Sequence, residues 1–454
     1  MSDRSRPAIL GLLVVTGCFN PSETITAAEA ADTGTTSRST ISRGDSDATG
    51  HETAVAEDDG TTGSPSASTA TTSESEETED GSADSTGSGT QFCGLPAPLA
   101  AFAEPDVYSA GESAVFVVVA DMFGSPGAEI IVGDPVLNEI TIWQNNELLA
   151  QFALATTLQV PPDGWQPAVG DLSGNGRNDL AVSDGQRVWT WISDGKSLAR
   201  GQNQPLAQTP GWGVVIADVG GSAFGDVVVQ SNPSSGPTLE VFPGMGGGVA
   251  PTAFSIQGGR RTPSLVAANM DGDAYADLIV PRTDADREVD PDGLDILLSR
   301  PTKDGFGFEV RSFETGPTPW GVAVADFNED GFNDVLIAHQ GLTPADGAID
   351  TVQVWLGDGD GDLAPQPEVE VADTLGFPAV GDVDCDGHID AIVPAVDGVY
   401  MLAGDGDGGL GAPTRLFAPG VAGAVAVGQL NADSRLDIVV GLAGEGEIQV
   451  YYAD

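Results

Sequence analysis

A chain of 454 residues with 68 acidic against 17 basic side chains carries a formal net charge of −51, which excludes nucleic acid and anionic membrane surface as electrostatic partners and is compatible with cation binding. Gly at 61 and Pro at 30, with few helix-forming runs, indicate a turn-rich, all-β chain. Three cysteines and three scattered histidines (His51, His339, His388) make neither a disulfide scaffold nor a zinc pattern.

In chain order, residues 1–17 read as an export signal: Arg4 and Arg6 flank Ala8 to Val15, an apolar core too short to span a bilayer. Its end, Val15-Thr16-Gly17-Cys18, resembles the lipobox of bacterial lipoproteins. That resemblance implies cleavage before Cys18 and acylation of its thiol and amine, an anchor to which each buried CH₂ contributes about 0.8 kcal/mol. The alternative is an ordinary cleaved signal followed by a chance cysteine. Phe19 rather than Asp follows the cysteine, which by analogy with the enteric sorting rule directs the protein to the outer membrane or cell surface.

Residues 18–92 are rich in Ser, Thr, Glu, Asp, Ala and Gly, as in Thr71-Thr72-Ser73-Glu74-Ser75-Glu76-Glu77. Such a composition cannot bury enough apolar surface to offset the entropy of ordering it. We read it as a disordered, self-repelling acidic tether with an r.m.s. span of roughly 50 Å or more. Beyond it, Cys93 and Cys385 form an even pair that an oxidising compartment permits to bridge. Pairing cannot be deduced from sequence, and two unpaired thiols are the simpler expectation.

Residues 93–454 are periodic. A loop of oxygen-bearing side chains returns with its first position at Asp121, Asp171, Asp218, Asn269, Asp326, Asp382 and Gln429, at intervals of 50, 47, 51, 57, 56 and 47. A unit of about 50 residues is the signature of a radial β array with one four-stranded blade per unit, so seven units predict an all-β, seven-bladed β-propeller. Each loop lies between a small-apolar strand (Gly321 to Ala325) and a β-branched one (Val335 to Ile337), and runs that are apolar throughout fit strands buried between neighbouring sheets. The last unit stops after Glu447 to Tyr452 without an outer strand, and the segment near 96–110 is expected to supply it and close the ring.

The fullest loops are Asp326-Phe327-Asn328-Glu329-Asp330-Gly331-Phe332-Asn333-Asp334 and Asp382-Val383-Asp384-Cys385-Asp386-Gly387-His388-Ile389-Asp390. Oxygens at positions 1, 3, 5 and 9, with a glycine bend at 6, suit a hard cation such as Ca²⁺. Crowded carboxylates without a cation repel one another. These loops resemble the FG-GAP/VCBS repeats of the integrin α-subunit propeller and of many bacterial surface proteins, over about four-fifths of the chain. The resemblance implies structural Ca²⁺ at three to four sites on one rim, with partners met on the other. Its metal ligands map to Asp326, Asn328, Asp330 and Asp334, and to Asp382, Asp384, Asp386 and Asp390. They map also to Asn269, Asp271, Asp273 and Asp277, where Ala274 replaces the bending glycine, and more weakly to Asp171, Ser173, Asn175 and Asp179. The seventh loop (Gln429, Asn431, Asp433, Asp437) is poorer still, and those at Asp121 and Asp218 have lost most ligands.

Trp165, Trp212, Trp320 and Phe377 recur ahead of the first strand of their units; packing between blades is the expectation, stacking on sugars the alternative. The runs Gly357 to Asp362 and Gly404 to Gly408 read as tight turns rather than extra cation sites. The long connections 283–294 and 342–350 are the expected partner-facing patch. No serine-histidine-acid set, nucleophile elbow or phosphate-cradling loop stands out. The sequence thus reads as an exported, lipid-anchored monomer whose Ca²⁺-bound propeller is a binding or adhesion module for a protein or glycan. A polysaccharide-acting enzyme with a site in the propeller funnel and a purely structural surface protein are the alternatives.

Overall fold

The computed structural model describes residues 102–124, 127–146, 151–162, 166–207, 211–222, 224–231, 238–250, 254–257, 264–283, 292–302, 305–340, 350–371, 376–417, 419–431, 433 and 435–453. The export signal with Cys18, the tether and Cys93 lie outside these residues, as do Trp165, the side chain of Trp212 and nearly all of the long connections at 284–291 and 341–349.

Seven antiparallel sheets succeed one another as blades of a β-propeller. Blade five is representative. Pro319–Ala325 pairs with Asp334–His339, which pairs with Asp350–Gly357, and the outer position is shared by Leu363–Pro365 and Val369–Val371. The first strands of neighbouring blades meet from blade two round to blade seven, and that of blade seven (Ala422–Gly428) meets that of blade one (Phe116–Ala120).

The continuous apolar runs have a physical cause. Every residue of the second strands Glu129–Asp134, Asp226–Ser231, Asp334–His339, Asp390–Ala395 and Asp437–Leu442 is buried, because each strand is covered on both faces by neighbouring blades. The hydrophobic clusters lie between blades. Ala323, Leu336 and Val354 of blade five pack with Val380, Ala391 and Leu402 of blade six, and Val322, Val335 and Ile337 on the other face pack with Val266, Ile279 and Leu294 of blade four. Each fully buried Val, Leu or Ile contributes about 1.5–3 kcal/mol, so a blade stripped of its neighbours would lose most of its core. Phe377 is fully buried in a cluster that also draws on blades one, two and seven, and Trp320 packs half-buried against that cluster, as expected of aromatics that pack between blades.

Closure occurs near the expected place. Asp106–Ser109 pairs antiparallel with Glu447–Tyr451 as the outer strand of blade seven, with Val107 opposite Gln449, and an isolated bridge joins Phe102 to Ala453. Tyr108 carries the closure into blade one: its hydroxyl accepts the Phe152 N–H at 3.1 Å, and its ring lies 5.7 Å from that of Trp143. One expectation needs correction. Cys385 is disulfide-bonded, not an unpaired thiol; the chain's other cysteines, Cys18 and Cys93, both lie outside the described residues.

Deleting Asp106–Ser109 exposes Glu447–Tyr451 as an open sheet edge. The expected result is a lower thermal midpoint together with dimers or larger species in multi-angle light scattering. An unchanged midpoint with a monomeric mass would contradict closure by this strand.

Candidate metal centre

The loops between first and second strands share one backbone design, visible position by position. Position 2 is a buried apolar plug in all seven: Met122, Leu172, Val219, Met270, Phe327, Val383 and Leu430. Position 4 takes a left-handed conformation, at φ between 65° and 71° in Gly124, Gly174, Gly221 and Gly272. Glu329 (φ 58°) and Cys385 (φ 63°) adopt it without being glycine, at a cost of order 1–2 kcal/mol each. Position 6 bends again in the fuller loops, at Gly331 (φ 90°) and Gly387 (φ 98°). A Cβ there would meet nothing within 4 Å, so glycine is required by φ and not by space.

Position 9 is a buried acid in every blade: Glu129, Asp179, Asp226, Asp277, Asp334, Asp390 and Asp437. One oxygen of each accepts the position-2 N–H, as from Phe327 to Asp334 at 2.8 Å and from Val383 to Asp390 at 2.9 Å. In the six aspartates the other oxygen accepts an N–H at the end of the third strand or just past it: from Ser193, Gly244, Ser299, Gly357, Gly404 and Ala453. In those six blades the closing acid is therefore first a clamp joining two hairpins, and a buried acid persists at this position in loops one and three, which have lost most of the other ligands. Burial pushes the six aspartates up, to about 6 in Asp334 and about 7 in Asp390, against the backbone N–H groups that hold them down.

Loop six brings three of its four predicted ligands together, Asp386 standing outside the group. Oxygens of Asp382, Asp384 and Asp390 lie within 4.8 Å of one another, as no other group of acids, histidines or cysteines does among the described residues. Burial raises the pKa of Asp382 and Asp384, and the Asp386 carboxylate raises both further. An all-oxygen, carboxylate-rich set of this kind fits a hard divalent cation. In loop five Asp326 accepts the Asp330 N–H (3.1 Å) and the Gly331 N–H (2.9 Å), while the Asn328 amide donates to Asp330 at 2.8 Å.

The weaker loops use their polar groups differently. Asp171 accepts N–H groups from Gly174, Asn175 and Gly176, and the Asn175 amide donates to the Ser193 carbonyl, so much of this set is committed to holding the turn. Ser173 shares its one N–H between Asp171 and Asp179 and donates its hydroxyl to Asp171. In loop four Asp271 and Asp273 are ion-paired with Arg300. Asn431 donates to Asp433 in loop seven at 2.8 Å. The glycine-aspartate runs are tight turns on the same rim, with Asp358 and Asp405 accepting N–H groups of their own turns.

Neighbouring loops are joined along this rim. The position-1 carbonyls of Asp121, Asp171, Asp218 and Asn269 accept hydrogen bonds from position 8 of the next loop: Asn178, Gly225, Ala276 and Asn333, at 2.8–3.0 Å. Loops five and six are further joined by Glu329 and His388, 2.6 Å apart. The Glu329 hydrogen bond raises the imidazole pKa.

No protein-family model and no curated protein sequence matches this chain. Solved structures resemble it in fold. One is the structure of BBS1N in complex with ARL6DN, soaked with lead (TM-score 0.52, 11% identity, covering 78% of this chain and 96% of that one). Two others are an Agrocybe aegerita lectin recognising non-reducing terminal N-acetylglucosamine (0.47, 19%, 73% and 86%) and Saccharomyces cerevisiae Sqt1 (0.49, 12%, 76% and 85%). At these identities the likeness establishes the β-propeller fold alone.

The clamp can be tested where the other ligands are missing. Asp226 accepts N–H groups from Val219, Gly220 and Gly244, and replacing its carboxylate with a carboxamide would turn a donor toward one of them. Asp226→Asn should therefore cost about 1–3 kcal/mol in urea unfolding, equally with calcium and with chelator. Burial pushes Asp226 up to about 6, opposed by the Gly244 N–H and aided by Asp218. Because the folded value lies above the ordinary one, its contribution is complete at acid pH and is lost as pH rises through about 6. The stability gap between wild type and Asp226→Asn should narrow over that window.

Proposed function

We propose that this protein is a calcium-braced β-propeller that serves as a binding or adhesion module, exported and held at the cell envelope through a lipid on Cys18. The observation that carries the calcium reading is the convergence of Asp382, Asp384 and Asp390 within 4.8 Å in loop six. These carboxylates gain only if a cation offsets their mutual repulsion. Asp386 completes the oxygen set there, and Asp326, Asn328, Asp330 and Asp334 would hold a second ion in loop five. The cation would supply no reaction chemistry; it would fix the hairpins that set the spacing of the blades.

The binding reading rests on the scaffold. Connections between first and second strands and between third and fourth strands occupy one rim, and second strands end and third strands begin at the other, as at Arg282 and Gly293 in blade four and at His339 and Asp350 in blade five, the ends joined by the long loops 283–294 and 342–350 of the sequence. Long loops on a rigid frame are where recognition is usually placed, and the partner we propose for them is a protein or glycan. The acidic tether would hold this face clear of the membrane.

Calcium at a hundredfold excess over its Kd should stabilise the fold by about 2.7 kcal/mol per site, read as a higher thermal midpoint than in chelator. Asp384→Asn should remove part of that increment. Coincident melts of wild type in calcium and in chelator would sink the metal reading. Replacing 284–291 and 341–349 with Gly-Ser segments should abolish capture on glycan or surface-protein arrays while leaving the calcium response unchanged; retained capture would move the partner elsewhere.

A further inference from the structure

Loop four carries four of the oxygen ligands that the sequence pattern assigns to calcium, yet a side chain from another hairpin already lies among them. Arg300 Nη1 is 2.6 Å from Asp271 Oδ2 and 3.3 Å from Asp273 Oδ2, at positions 3 and 5 of the loop. The same nitrogen donates to the Ser299 carbonyl at 2.9 Å, and Nε lies 3.6 Å from Glu309. The placement follows from the blade design. Ser299 is the residue whose N–H clamps the closing acid Asp277, so the next side chain sits directly beside the loop. Blades five and six have Asp358 and Asp405 at that place, turned into their own hairpins.

Other features of loop four agree. Position 1 is the neutral Asn269, whose amide donates to the Asp273 carbonyl at 2.6 Å, where loops five and six have Asp326 and Asp382. The Asp271 side chain is only 7% exposed, so the carboxylate nearest the guanidinium is largely withdrawn from water, while the outer part of the Arg300 side chain stays in solvent. A divalent ion bound to the same Asp271 oxygen would sit next to the guanidinium and be repelled by it.

We propose that Arg300 is the resident cation of loop four: its guanidinium neutralises Asp271 and Asp273 in place of a metal ion, so blade four is braced independently of calcium. The inference rests on the calcium reading of loops five and six for its contrast. Loop four is thereby removed from the set of calcium sites: Asp271 and Asp273 act as an arginine socket, while Asp277 keeps its clamp on Met270 and Ser299.

Calcium titration calorimetry on the full chain tests it. Arg300→Ala should bind one more calcium equivalent than wild type, whereas Arg300→Lys, which keeps the charge, should not. Asp271→Asn in the wild-type background should leave the stoichiometry unchanged, while Asp384→Asn should lose one equivalent. In chelator Arg300→Ala should melt below wild type, and saturating calcium should recover much of the difference. Unchanged stoichiometry in Arg300→Ala, or loss of an equivalent in Asp271→Asn, overturns the proposal. A wild-type chain that binds no calcium would remove the reading of loops five and six. The arginine is then judged in chelator alone, where Arg300→Ala melting with wild type overturns it and a lower midpoint upholds it.

Discussion

Each blade is held in register by a buried carboxylate that accepts N–H groups from the loop in front of it, and in six blades also from the turn behind it. Asp334 shows the arrangement: one oxygen takes the Phe327 N–H, the other the Gly357 N–H, and the residue is fully buried. A charge in that position is costly unless hydrogen bonds compensate it, and two backbone donors at 2.7–2.8 Å do so. The same bonds tie the first hairpin of the blade to its second. The first three strands of the blade are thus tied together at this rim, while the core that covers them is shared with the neighbouring blades.

The chemistry of the rim is built on that clamp. Once position 9 is pinned, the φ > 0 residues at positions 4 and 6 turn positions 1, 3 and 5 back over the hairpin. What those positions carry then differs from blade to blade. Loop six gathers carboxylates alone, loop four pairs them with an arginine, and loop two spends Asp171 on its own backbone N–H groups. One backbone design therefore accommodates three arrangements of charge: a cluster of carboxylates, an internal ion pair and hydrogen bonding to the loop's own backbone. Because the position-1 carbonyl of one loop accepts from position 8 of the next, the loops are mechanically continuous around much of the ring.

Much of this was legible because it is local or repeated. The interval of about 50 residues, the apolar second strands and the missing outer strand of the last unit follow from spacing and hydrophobicity, and Asp106–Ser109 fills the expected place. The acid at position 9 was also legible, but its meaning was mixed. It marks the fold in all seven blades, including those at Glu129 and Asp226 where other ligands are gone, so it is weak evidence for metal by itself. The left-handed position 4 was obscured because two of the fuller loops place Glu329 and Cys385 there instead of glycine.

The sequence by itself determined the number of blades, the strand pattern within each, the way the ring closes and the hairpins in which oxygen ligands accumulate. Periodicity and burial on both faces of a strand leave one-dimensional traces. The tertiary structure alone decided that Cys385 is disulfide-bonded, that Arg300 reaches Asp271 and that Glu329 meets His388. In the last two the partners stand in different hairpins, brought together by the packing of strands and blades, and sequence separation carries no trace of such a meeting. The oxygen loop between the first two strands of each blade is written in the chain, but the charge that answers it is set by whatever the neighbouring turn places beside it.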